Sequence, residues 1–149
     1  MNDEERQAIL KQVESVAALA GLRGMVSEDG DCFRMGFETD SGRSQQVFVR
    51  PSGHTPDGKV VITMFSPARA IAKGLFSGLG RDDAIELLRL NESMFFARFG
   101  LWESKTDVMI VASIDAILET FDADEMRAHS YYLAHAADAY EARHGGDRF

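Results

Sequence analysis

The side chains able to do chemistry are His54, His129, His135 and His144, the lone Cys32, Ser66, and two groups of carboxylates, Asp82–Asp83–Glu86 and Asp122–Asp124–Glu125. A histidine pair that grips a metal from one helix needs i, i+4 spacing, which puts both rings on one face. His129 and His135 are six positions apart, so they point to different faces, and neither His-Glu-x-x-His nor a paired-cysteine motif accompanies them. Cys32 stands beside Phe33 in a strand-like run, where a partly buried structural thiol is expected rather than a nucleophile. Ser66 precedes Pro67 and has no base to activate it. The carboxylates fall at helix starts, where the helix dipole accounts for them. Gly74-x-x-x-Gly78-x-Gly80 comes just before a helix, where backbone amides attract phosphate. It lacks the Lys-Ser/Thr of a phosphate loop, departs from the dinucleotide fingerprint, and is followed by Asp82 and Asp83, which repel an anion. These residues predict no catalytic group, no metal site and no cofactor.

The elements around them follow from hydrophobic period. Asn2 to Ala20 reads as a helix, with Asn2 as N-cap, Glu5 completing a capping box, an apolar stripe of Ile9, Val13, Val16, Ala17 and Ala20, and Gly21 or Gly24 as the stop. Phe33, Met35 and Phe37 alternate with Arg34, Gly36 and Glu38, the mark of a half-buried strand. A turn at 39–42 leads to a strand over Gln45–Arg50. Pro56-Asp57-Gly58 closes the next loop, and Lys59–Phe65 is a continuously apolar strand. Pro67 is expected to open a helical turn through Ala68–Lys73, followed by the glycine-rich connector to Gly80. A central helix begins at Arg81, with Ala84, Leu87 and Leu88 on its apolar side, and stops at Asn91. Ser93–Trp102 and Asp107–Ser113 are expected as strands joined through Glu103–Thr106. Asp122 and Glu125 form a capping box for the last helix, with a stripe of Met126, Leu133, Ala136, Ala137 and Tyr140 and a stop at Gly145-Gly146.

The sequence therefore predicts a single α+β domain over residues 1–149, ordered α-β-β-β-α-β-β-α, with helices packed on a twisted antiparallel sheet. A chain of 149 residues is long enough to bury a sizeable core. A net charge of −8 opposes nucleic-acid binding, which needs a concentrated basic surface. A single cysteine fits a reducing compartment. The acidic, polar start carries no signal peptide, and no apolar run reaches the roughly 20 residues of a membrane span, so a cytoplasmic location is expected.

What remains is an apolar surplus. Alternation over 94–102 puts Phe95, Ala97, Phe99 and Leu101 on a core face and Met94, Phe96, Arg98, Gly100 and Trp102 on the opposite one. Met94, Phe96 and Trp102 are thus candidates for a partner or dimer interface, where aromatic residues, Met and Arg are enriched, as against a second core layer. Leu75, Phe76 and Leu79 could extend it or cover the sheet edge.

Leu87-Leu88-Arg89-Leu90-Asn91 running into an apolar strand, the strand pair around Phe95–Leu101 and Val108–Val111, the long final helix and the element order together resemble the YbjN-like family. That family shares the fold of type III secretion chaperones. The resemblance spans Asn2 to Arg143 and implies a dimeric, non-enzymatic module that holds an extended segment of a client protein or acts as a regulator of sensory transduction. The alternative from another class is a small-molecule-binding or enzymatic domain, with the Gly74–Gly80 connector as a lid over a pocket lined by Phe76 and Trp102.

Overall fold

The computed structural model describes residues 1–73, 78–103, 105–146 and 148–149. Among these residues three α-helices pack on a six-stranded sheet. In chain order the elements are α1 (Asp3–Leu19), β1 (Gly24–Val26), β2 (Phe33–Glu38), β3 (Ser44–His54), β4 (Val60–Ala72), α2 (Arg81–Ser93), β5 (Arg98–Glu103), β6 (Asp107–Ile117) and α3 (Ala123–Arg143). The strands lie in the order β1-β2-β3-β4-β6-β5, every neighbouring pair antiparallel. The α+β class and the sheet-with-helices layout are as the sequence predicts, with one short strand, β1, added in front. Gly24 suits that strand because a β-carbon there would come within 2.5 Å of the Arg34 carbonyl oxygen.

The helix ends follow their signals. Asn2 Oδ1 accepts from the Glu5 amide at 2.8 Å, while the Glu5 carboxylate meets His54 Nε2 at 2.9 Å rather than closing a box. Gly21, at φ 73°, ends α1, with the Leu22 amide donating to Ala17 O and the Gly21 amide to Ala18 O. The reciprocal box on α3 is complete: Asp122 Oδ1 accepts from the Asp124 and Glu125 amides, and Glu125 Oε2 accepts from the Asp122 amide.

One face of the sheet supplies the core. Phe33, Met35, Val47, Val49, Ile62, Met64, Ile110, Ala112 and Ile114 meet Leu10 and Val13 of α1 and Met126, Leu133 and Tyr140 of α3. Each large side chain buried there contributes about 1.5–3 kcal/mol.

Three boundaries depart from the sequence reading. The helical turn expected over Ala68–Lys73 is instead the second half of β4, paired with β6 as far as Ala72↔Asp107. A bulge between Pro67 and Arg69 absorbs the proline, and the ladder to β3 stops at Phe48↔Phe65, so no bond to β3 is lost there. Fully buried Gln45 covers that gap, donating from Nε2 to Ser66 Oγ and to Pro67 O. The central helix passes Asn91 and ends at Ser93. The strand expected from Ser93 begins only at Arg98, and β6 runs on to Ile117. The reason is Asn91 itself: its Oδ1 accepts from the Phe99 amide at 2.7 Å and its Nδ2 donates to Phe99 O at 3.1 Å. This clamp fixes where the strand leaves the helix and puts 94–97 in a turn.

Candidate functional site

Strand alternation leaves a second face on which no described helix packs. Facing away from the helices are Arg34 and Gly36 of β2, Gln46, Phe48 and Arg50 of β3, and Thr63, Phe65 and Pro67 of β4. From β6 and β5 come Met109, Val111, Ser113 and Asp115 with Arg98, Gly100 and Trp102. Register aligns six of the exposed-face residues in one row across all six strands: Met25, Arg34, Phe48, Phe65, Ser113, Arg98.

Aromatic rings fill the middle of this face. Phe48 and Phe65 stack at 5.1 Å, nearly parallel, and Phe65 meets Trp102 at 4.3 Å. β6 lies between β4 and β5, so the Phe65–Trp102 contact has to cross over it. That explains why Val111 and Ser113, on a face without helices, are nonetheless buried. The Arg50 guanidinium lies 4.2 Å from the Trp102 ring and 5.7 Å from that of Phe65, a cation–π geometry.

Three arginines, Arg34, Arg50 and Arg98, share this face with Asp115 and, at the strand ends, Glu38 and Asp107. Asp115 takes hydrogen bonds from Thr63 and Arg98. Burial pushes its carboxyl pKa up, but those two hydrogen bonds and the charges of Arg98 and Arg50 hold it below the ordinary carboxylate value. Among the described residues Arg34 has only the thioether of Met25, at 3.6 Å, as a polar partner. Beside it lies a shallow depression of about 470 Å³, lined among others by Arg23, Met25, Arg34, Ser44 and Gln46. Glu38 is at the far corner, in register with Ser44.

The other titratable groups tie elements together on the helix side. Arg69 donates to Asp83 at 3.1 Å and sits 3.2 Å from His144 Nδ1. A guanidinium can only donate, so Nδ1 is the acceptor and Nε2 turns toward Glu86, 3.3 Å away. Arg43 bonds Asp138 at 2.6 Å and the Gly146 carbonyl at 2.8 Å and faces Glu141 at 3.6 Å. Burial pushes the Tyr140 hydroxyl pKa up, since desolvation outweighs the help of Arg69. His129 packs on Phe96 and Phe121, whereas His135 is exposed, so the two do diverge. Among the described residues no group of three or more His, Cys, Asp and Glu could hold a metal. Nor is any described helix long and apolar enough to cross a membrane.

The residues singled out from sequence do not share one surface. Trp102 is on the helix-free face, under Arg50. Met94 and Phe96 precede the strand: Met94 is half-buried against the core, and Phe96, 61% exposed, leans on His129 and Tyr132 of α3. Leu79 is half-buried against the core, while Leu75 and Phe76, with most of the proposed lid, lie outside the described residues. Phe99 and Ala97 are buried as expected, but Phe95 is 87% and Leu101 42% exposed, so these two are not core. The turn at 94–97 breaks the alternation that placed Phe95 inward, and Leu101 sits on an edge strand only partly shielded by α2. Phe48, Arg50 and Phe65 were missed, although Phe48 and Arg50 alternate with buried Val47 and Val49 and so announce a second face. Compared with known proteins, the chain matches no family model and no curated protein.

Proposed function

We propose that this chain is a non-enzymatic protein-binding module, chaperone-like or regulatory, that acts as a homodimer. The observation that carries the reading is a sheet with helices on one side and a half-buried belt of Phe48, Phe65 and Trp102 on the other. Aromatic rings and arginine on a helix-free face are the composition that protein interfaces favour.

A second surface suits self-association. Leu88 of α2 (69% exposed), Leu101 of β5, and Phe95 and Phe96 in the segment that joins these two elements are all exposed apolar side chains. Leu88 stands one helical turn before Asn91, and Leu101 two residues beyond Phe99, the residue that Asn91 grips. Apolar groups this exposed stand out on an acidic chain and read as an interaction patch. The resemblance to secretion chaperones, which are dimeric, points the same way, with β1 as a strand beyond their element order.

Light scattering at tens of micromolar tests the dimer. The expected result is a dimer that Phe95→Asp or Leu88→Asp dissociates without changing the circular-dichroism spectrum. A wild-type monomer under those conditions would sink the dimeric part of the reading.

A further inference from the structure

We propose that the helix-free face binds an extended, acidic segment of another protein, carboxylates on its arginines and apolar side chains along its aromatic row. This deepens the binding-module reading and rests on it, but it concerns a surface separate from the α2–β5 edge.

Charge supports this occupant. The chain carries −8 overall, yet Arg23, Arg34, Arg50 and Arg98 border one face, against Asp115, Glu38 and Asp107, the last two at the ends of β2 and β6. Asp115 is already taken by Thr63 and Arg98. Neither Arg34 nor Arg50 makes an ion pair among the described residues: Arg34 meets sulfur, and Arg50 lies over ring faces and acts on Asp115 only through its charge. A second copy docked face to face would set these cations against each other. A nucleic-acid strand, with a charge on every residue, meets the repulsion of the whole acidic chain. A segment with a few carboxylates set among apolar residues meets neither penalty.

Two glycines give independent support. Gly36 and Gly100 stand mid-strand on this face, at backbone angles open to any residue, and a β-carbon at either would touch nothing within 4 Å. Glycine weakens a strand interior and accompanies a bulge, a bend or the close approach of a ligand or another chain; the ladders run without a register shift at both positions, which leaves close approach. Gly36 floors the depression beside Arg34, and Gly100 is in register with Val111 next to the Trp102 ring.

The register sets the spacing. Arg34 and Arg98 end a row whose inner members are Phe48, Phe65 and Ser113; Arg98 gives one nitrogen to Asp115 and keeps its other N–H donors for a ligand. Four strand spacings separate them, about 19 Å, which an extended chain covers in about six residues. The preferred segment thus carries acidic residues about six apart with apolar residues between them.

The probe is a fluorescein-labelled peptide with two glutamates at that spacing flanking leucines and serines. It is titrated against the full chain by anisotropy and by emission of Trp102, the only tryptophan. Controls are the same peptide with lysines for glutamates and an oligo-dT strand. The expected result is binding of the acidic peptide alone, with a change in Trp102 emission and weakening by salt. Arg34→Glu should weaken it roughly tenfold, the equivalent of one charge pair at a partly desolvated site. Gly36→Thr should weaken it similarly while keeping or raising the melting temperature, so lost binding cannot be laid to lost fold. Equal binding of the lysine peptide, no binding of the acidic one, tighter binding of oligo-dT, or indifference to both substitutions overturns the proposal. A dimer that ignores the acidic peptide overturns this inference and leaves the dimer standing; a monomer that binds it does the reverse.

Discussion

Replacing Asn91 with alanine tests how the chain joins its central helix to the edge of its sheet. The Asn91 amide serves both backbone groups of Phe99, accepting at 2.7 Å and donating at 3.1 Å. In an antiparallel pair, alternate residues turn their backbone groups toward the neighbouring strand. Since Phe99 turns outward to Asn91, Arg98, Gly100 and Trp102 bond to β6, and Leu101 shares the free edge with Phe99. Each hydrogen bond lost is worth about 0.5–1.5 kcal/mol net, so Asn91→Ala should cost about 1–3 kcal/mol. At 2–4 °C per kcal/mol for a domain of this size, melting should fall by about 2–12 °C. Asn91→Asp keeps the acceptor for the Phe99 amide and loses only the donor, so it should fall between alanine and wild type. The assays are urea unfolding, with the slope checked for constancy, and amide exchange at Phe99, which should accelerate in the alanine variant. Opening Phe99 beside Leu101 also lengthens an unpaired strand edge, so association of that variant should rise with concentration. Unfolding free energies within about 0.5 kcal/mol of wild type, together with unchanged Phe99 exchange, would refute the clamp.

Arg43→Met should cost about 3–5 kcal/mol in denaturant unfolding, because it leaves the buried carboxylates of Asp138 and Glu141 without the cation that faces them; a loss under about 1 kcal/mol would show that the clasp is not needed. Stability should fall on acidification: the Gly80 amide holds the Asp83 carboxyl pKa low despite burial, and Thr63 and Arg98 do so for Asp115. A carboxyl depressed in the folded state contributes stability above the unfolded pKa, about 4, and that contribution is lost as pH falls from there through the folded value. Urea midpoints measured from pH 7 down to 3 should drop in that window and drop less in Asp115→Asn; parallel curves would contradict this account.

Much of the fold was legible because each face of each element carries its own period. The stripe of α1, the alternation of Phe33, Met35 and Phe37, and the capping box of Asp122 and Glu125 are local signals, and all three elements formed where those signals stood. The failures share one cause, long-range pairing. Pro67-Ala68-Arg69-Ala70 has the local look of a helix start, yet a long β6 offers a full ladder to whatever follows Phe65, and a bulge absorbs the proline. Asn91 reads locally as a helix stop, but its amide serves a strand eight residues on. That tertiary clamp shortened β5 and moved Phe95 and Phe96 out of the alternation, which is why Met94 and Phe96 part company with Trp102. Arg50 and Phe65 were invisible as a pair because only the β3–β4 and β4–β6–β5 registers bring them to one ring cluster.

Strand β5 shows why the two proposed surfaces are adjacent and still separable. Leu101 turns toward the helix side, where with Leu88 it belongs to the α2–β5 edge, while Gly100 and Trp102 turn to the helix-free face. A pleat of period two therefore gives one six-residue strand to both. Substitutions separate them by parity: Phe95→Asp and Leu88→Asp touch nothing on the aromatic face, and Arg34→Glu and Gly36→Thr lie four strands away from the edge. The glycines press the same point energetically. A mid-strand glycine gives up about 0.5–1 kcal/mol relative to alanine, and at Gly36 and Gly100 no backbone angle and no neighbouring atom requires it. Folding alone favours a β-branched residue at both positions. A smooth, arginine-bordered face is a reason of a different kind, since a chain lying across it needs the backbone bare at those two places.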